Sequence, residues 1–338
     1  VIITSSVPGL PGKSNGQGVW IEQATGFLPT NNQFLTGGDN CIGYAKDNDQ
    51  FMYFFEISLH QWTTADLGSP QNMHAIKGLG NVIMAYTDEL LIGYSSLTST
   101  FDIINFQGEP INPGALGMLG GYGCTEWGAF FVTDEFFYVF DTELGTWQSY
   151  AYILPEPFYT YGASFIKGDD YIGVILPQQE NYIDYTEFSV MAYSLPNHAF
   201  AETNYGGPYA GTMESVIMSN GFVTMRRPVG VDSTYLTGYS SSDNQFLTKF
   251  IGSMEGDISI ANSWDYPENY TKKTVAAYML VLNADQNHNE KIYAYSTIRG
   301  RWDISPILIH DAQAGESDYL SISLGGTLAA SSKVNFEN

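Results

Sequence analysis

Basic residues are scarce in this chain. Thirteen Lys and Arg stand against 36 Asp and Glu, giving a formal net charge of −23. A protein that grips a nucleic-acid backbone needs a basic surface, so nucleic acid is excluded as a partner. An acidic surface keeps a chain soluble and apart from like-charged neighbours. Cysteine is nearly absent: Cys41 and Cys124 cannot build a disulfide framework. Their spacing places them in equivalent strands of non-adjacent repeats, which predicts two buried thiols, a bridge between them being the alternative. No apolar run approaches the roughly 18 residues of a membrane helix, so no membrane insertion is expected. No sustained i, i+3, i+4 apolar pattern exists either, and helix should be scarce.

Catalytic signatures are missing too. There is no G-x-S-x-G, no H-E-x-x-H and no P-loop. His60, His74, His198, His288 and His310 are scattered, with no two at the spacing of paired metal ligands. The chain opens on Val1 without a leader peptide, which favours a processed, exported protein. In that setting Asn269-Tyr-Thr271 is a glycosylation acceptor.

Gly (35), Tyr (24) and Phe (20) are abundant, a composition that suits short strands and tight turns. The aromatics are also ordered. Phe55/Trp62, Tyr94/Phe101, Phe140/Trp147, Tyr193/Phe200, Tyr239/Phe246 and Tyr295/Trp302 each stand seven residues apart. Each pair brackets a polar turn, as in Phe140-Asp-Thr-Glu-Leu-Gly-Thr-Trp147. A recurring unit of one small antiparallel sheet predicts a repeat protein of the propeller kind.

Each unit reads as four strands, a to d. In the first, strand a is 33–36, strand b 41–45, strand c 51–55, and strand d opens at Trp62. Turns at 37–40 and 46–49 supply the Gly, Asn and Asp that hairpins need. The second unit repeats this with strands at 73–76, 82–86 and 90–94, then Phe101. The third has Gly120-Gly121 at its a–b turn and Thr133-Asp-Glu135 at its b–c turn. The fourth has a long b–c connection from Gln178 to Glu187, the fifth a turn at Ser219-Asn-Gly221. The sixth has a polar connection from Asn283 to Glu290. Segments 319–324 and 327–334 then supply a further a and b, and 1–5 with 19–22 a matching c and d ending on Trp20. The d-strand aromatics, Trp20 included, are separated by 39 to 56 residues. The expected fold is all-β: a single domain over 1–338, a seven-bladed β-propeller of four-stranded antiparallel blades, the last closed by strands from both termini. Closure removes two exposed sheet edges. The aromatic pairs are expected to pack between neighbouring blades.

Phe140-Asp141…Gly145-Thr-Trp147 and Tyr295-Ser296…Gly300-Arg-Trp302 resemble the kelch and galactose-oxidase type of propeller. The resemblance spans nearly the whole chain as architecture. Kelch units carry a Gly pair at the end of strand b, whereas here the pairs 37–38, 120–121 and 325–326 fall at the a–b turn. A copper-radical oxidase of that type implies clustered Tyr, His and Cys ligands, and no such set can be placed.

Two features invite a site. Asn283, Asp285, Asn287, Asn289 and Glu290 carry oxygens at near-alternate positions, as calcium loops do, but His288 occupies the place of the loop glycine. A plain hairpin tip is the alternative, and calcium is the one cofactor expected. The b–c turns hold Asp47, Asp49, Asp88, Glu89, Asp134 and Glu135, which predicts an acidic face that docks cations or a basic partner; ordinary solvated turns are the alternative. Loop aromatics such as Phe158, Tyr159, Tyr161, Tyr182, Tyr185, Tyr205 and Tyr209 suit sugar stacking or a protein interface; rings that fill blade cores or cover loops are the alternative. The function expected first is a non-catalytic structural or interaction module of an extracellular or virion assembly, with other proteins or copies of itself as partners. A glycan-binding propeller, or a carbohydrate-active or oxidative enzyme built from loops of several blades, are the alternatives.

Overall fold

The computed structural model describes residues 2–5, 19–22, 33–106, 121–133, 135–152, 164–181, 184–210, 212–227, 235–250, 258–261, 275–284, 287–304, 308–309, 319–325 and 328–334. Every regular element among them is a β-strand. The first hairpin pairs β1 (Ile2–Ser5) with β2 (Val19–Glu22). A sheet of β3 (Gln33–Gly37), β4 (Cys41–Lys46), β5 (Asp49–Glu56) and β6 (Gln61–Gln71) follows. The next is β7 (Met73–Leu79), β8 (Val82–Thr87), β9 (Leu90–Ser95) and β10 (Thr100–Asn105). Then come β11 (Tyr122–Cys124), β12 (Gly128–Val132), β13 (Phe136–Asp141) and β14 (Thr146–Ala151). A fourth sheet holds β15 (Ser164–Lys167), β16 (Tyr171–Asn181), β17 (Asp184–Ser194) and β18 (Ala199–Ala210). A fifth holds β19 (Thr212–Met218), β20 (Gly221–Arg227), β21 (Tyr235–Ser240) and β22 (Gln245–Phe250). The sixth has β23 (Ile258–Ala261), β24 (Val275–Ala284), β25 (Asn287–Ser296) and β26 (Arg301–Ile304), with β27 (Leu308–Ile309) added alongside β25. Finally β28 (Tyr319–Gly325) pairs with β29 (Leu328–Val334). In each of these larger sheets four consecutive strands lie side by side in chain order, the expected four-stranded unit, and only β27 departs from that order.

The chain divides into two compact units, one of residues 1–111, 123–129 and 142–147, the other of 112–122, 130–141 and 148–338. In both, strands b and c form the core. β8 and β9 are buried at every position, whereas the outer strand β10 has no buried residue. In the first unit, Met52, Phe54, Ile83, Ala85, Ile92 and Tyr94 make one cluster, with Phe54 and Tyr94 stacked at 4.4 Å. In the second, Ile166, Tyr171, Val190, Phe222 and Tyr239 do the same.

The structure refines one expectation and corrects three. The seven-residue aromatic pairs are cross-strand neighbours within one sheet: Phe55 lies opposite Trp62, Tyr94 opposite Phe101, Tyr193 opposite Phe200, Tyr239 opposite Phe246 and Tyr295 opposite Trp302. A hairpin spaced this way puts both rings on one face, with centroids 4.8 Å apart in Tyr193/Phe200 and Tyr239/Phe246. The same rings also meet the neighbouring sheet, as expected: Phe200 meets Phe137, Tyr239 meets Tyr171 and Tyr94 stacks on Phe54. Gly121 precedes β11, so the third a–b turn is Thr125-Glu126-Trp127. Cys124 therefore lies on strand a and Cys41 on strand b, and the two positions are not equivalent. Both are thiols, Cys41 buried and Cys124 half-buried; burial pushes the Cys41 thiol up to about 12. The polar b–c connections of units four and six are mostly strand. Pairing runs on to Asn181 opposite Asp184 and to Ala284 opposite Asn287, because a ladder satisfies backbone groups whatever the side chains are.

Candidate functional site

Two sets of carboxylates occupy opposite ends of the sheets. The first set lies at the b–c turns. In the first unit, Asp47 and Asp49 flank the β4–β5 turn, and Asp88 and Glu89 form the β8–β9 turn. The crossing from β6 to β7 is a single residue, Asn72, and it runs between these turns. The Met73 amide donates to Asp47 Oδ1 at 3.1 Å, the Asn48 amide to the Gln71 carbonyl at 2.8 Å, and Asn72 Nδ2 to Asp88 Oδ2 at 3.3 Å. His74 Nε2 pairs with Asp88 Oδ1, and its ring stacks on Tyr86. The hydrogen bond from His74 holds the Asp88 carboxyl below the usual carboxylate range. Asp49 accepts from the Phe51 amide, closing its own turn. The structure thus brings Asp47 and Asp88 to one crossing, while Glu89 is exposed. In the second unit Glu135 is exposed at the β12–β13 turn, where its carbonyl accepts from the Tyr152 amide. Asp134 lies outside the described residues.

The second set is buried, and it was not anticipated. The residue after each c-strand aromatic is polar: Glu56, Ser95, Asp141, Ser194, Ser240 and Ser296. The serines at 95, 194 and 240 donate across to the next sheet, to the carbonyls of Thr142, Ser241 and Thr297 at 2.6, 2.6 and 2.5 Å. Where the residue is an acid, the direction reverses. Glu56, 4% exposed, accepts from Tyr94 Oη at 3.1 Å and Ser99 Oγ at 2.6 Å. Asp141, fully buried, accepts from Tyr193 Oη and His198 Nδ1, both at 2.7 Å. Ser99 and His198 occupy the same place, five residues after the aromatic, and both have positive φ. So do His60, Gly145, Asn244 and Gly300. One left-handed residue per c–d turn folds the polar tip back onto the neighbouring sheet. The polar residue after the aromatic was visible in the sequence; its partners, 38 to 57 positions away, were not.

The a–b turns add a second register of links. The Asp39 amide donates to the Gly80 carbonyl at 2.8 Å, the Asn81 amide to that of Glu126 at 3.0 Å, and the Asp169 amide to that of Ser219 at 2.8 Å.

Of the calcium candidates, Asn283, Asn287, Asn289 and Glu290 lie on the β24–β25 hairpin, where Asn283 is opposite His288 and Leu282 opposite Asn289. Asp285 and Asn269 lie outside the described residues, as do Phe158, Tyr159, Tyr161 and Tyr182. Among the described residues no three His, Cys, Asp or Glu side chains converge as a metal would require, and no helix is long and apolar enough to cross a membrane.

No protein-family model matches the chain, and no curated protein matches it. Among solved structures it is similar to the WD40 domain of SCAP from fission yeast, at 8% identity over 85% of this chain and 89% of that one, with a TM-score of 0.25. It is also similar to the β-propeller domain of Cps50 (Swd1) from Myceliophteria thermophila, at 6% identity over 83% and 87%, with a TM-score of 0.29. A third likeness is to U3-55K, at 9% identity over 79% of each chain, with a TM-score of 0.27. With scores this low, the sheets of the chain itself carry the fold.

Proposed function

We propose that this chain is a non-catalytic, exported interaction or structural module, a seven-bladed propeller of the kelch-like kind whose last blade is shared by β28–β29 and β1–β2. Its partners are other proteins or further copies of itself, in an extracellular or virion-surface assembly. One observation carries the reading. The buried carboxylates Glu56 and Asp141, the groups best suited to acid–base work, are each held by a tyrosine hydroxyl and a turn residue of the following sheet. Polar groups committed to joining sheets make a scaffold rather than a reaction centre. The base-poor composition supports a surface that stays soluble outside the cell. Light scattering under native conditions tests the proposal. Particles larger than the 37.3 kDa chain are expected. A monomer whose melting temperature rises with a sugar would overturn it in favour of ligand binding.

A further inference from the structure

The two ends of the sheets differ in what they expose. Of the large apolar side chains exposed to solvent, Leu59, Leu97 and Leu144 sit on the c–d turns of three successive sheets, 51%, 55% and 43% exposed, all within the first unit. None of the exposed large apolar residues sits in a described b–c turn. The three turns are fastened side by side. Ser99 Oγ reaches Glu56 between the first and second, and Ser95 Oγ reaches the Thr142 carbonyl between the second and third. The leucines therefore form a row held at fixed spacing. Asp39 and Glu126, exposed on the a–b turns at the same end, rim that row with negative charge.

The sixth c–d turn carries the complementary chemistry. Ile298 is 55% exposed and is followed by exposed Arg299 and Arg301. Two of the four arginines in the sequence thus flank a single apolar tip. Arg301 is 56% exposed, and its ion pair with Asp303, at 3.5 Å, lies on the surface, where such pairs hold little energy. A chain with so few bases places this pair beside one of the few exposed isoleucines among the described residues.

We infer that the row of Leu59, Leu97 and Leu144 is a docking surface for a second copy of this chain, which inserts its Ile298 turn and sets Arg299 and Arg301 against Asp39 and Glu126. Charge selects the occupant. The acidic b–c ends of two copies repel, whereas an apolar tip flanked by arginines meets an apolar row rimmed by acids. Because donor turn and acceptor row are different surfaces, the contact is heterologous and propagates head to tail into rings or filaments. This inference rests on the reading of the chain as an assembling module.

The test is sedimentation over a concentration series with wild type, Leu59→Ser/Leu97→Ser, Arg299→Glu/Arg301→Glu and Asp39→Lys/Glu126→Lys. All six positions are exposed, and an unchanged melting temperature identifies variants that fold. Each variant alone should weaken association about tenfold or more, the scale of losing an interface anchor. An equimolar mixture of the arginine-reversed and acid-reversed proteins should recover head-to-tail association, with the two proteins alternating, because each now carries the charge that the other's surfaces require. Wild-type assembly that all three variants leave intact overturns this surface while sparing the assembling-module reading. A wild type that stays monomeric throughout overturns both. Leucine variants that lose a different protein while the wild type never self-associates assign the row to another partner and overturn the second copy as occupant.

Discussion

Asp141 is buried completely and accepts two hydrogen bonds through one oxygen. Replacing it with Ala removes these two hydrogen bonds from the Tyr193 hydroxyl and the His198 ring. Charge-assisted bonds of this kind contribute roughly 1.5–3 kcal/mol each, so Asp141→Ala should destabilise by about 3 kcal/mol in chemical denaturation. Asp141→Asn, which keeps an acceptor, should cost less. Trp147, 8% exposed, is a ring whose loss to Ala should cost about 3–5 kcal/mol. Tyr150 gives a pH signature. Its hydroxyl donates to Glu202 at 2.6 Å, and that carboxylate, together with partial burial, pushes the phenol up to about 12 from 10.0. The folded chain therefore keeps a proton that the unfolded chain releases. The stabilisation is complete below pH 10 and is lost as pH rises from there through about 12. Tyr94, Tyr171, Tyr239 and Tyr295, all raised by burial, deepen the same loss. Melting temperature against pH should fall steeply on the alkaline side, and Tyr150→Phe should flatten the onset.

At the scale of the element, the c–d hairpin is the repeating device. Gly145 and Gly300 hold the left-handed position with φ of 68° and 56°, and a Cβ at Gly300 would collide with the Asp243 side chain. The exposed Asp243 side chain can swing aside, so Gly300→Ala should destabilise by roughly 1–2 kcal/mol, the cost of left-handed strain. This hairpin was legible in the sequence because aromatic, polar tip and aromatic fall at fixed offsets, and the strands of the first two units were placed to within a few residues. The third unit was misread because Gly120-Gly121 resembles the glycine pair at 37–38. The b–c arms of units four and six were read as loops because their residues are polar, while pairing there is decided by the backbone. The acids at 47, 49, 88, 89 and 135 were legible as turn residues. That Asp47 and Asp88 fasten the crossing at Asn72 was not, since the acceptors and their donors come from different strands.

For the whole molecule, the sequence proposes a seventh sheet drawn from both ends, and β1–β2 and β28–β29 are each a two-stranded sheet. If they share one blade, deleting residues 1–22 should broaden or abolish the cooperative melt, and fluorophores at the two termini should transfer energy efficiently. Weak transfer in a fully folded chain would argue for an open array. Calcium belongs to this scale as well: binding at the β24–β25 hairpin should raise the melting temperature, and no rise would leave that segment a plain hairpin.

The crossing at Asn72 has a kinetic corollary. Two sheets joined by one residue, with the Asp47 and Asp88 carboxylates clasping either side of it, leave no slack for one to breathe while the other stays shut. Amides of β4, β5, β8 and β9 should then exchange with solvent deuterium through a single shared opening event, at one rate, and freeing the clasp with Asp47→Ala should split that rate in two.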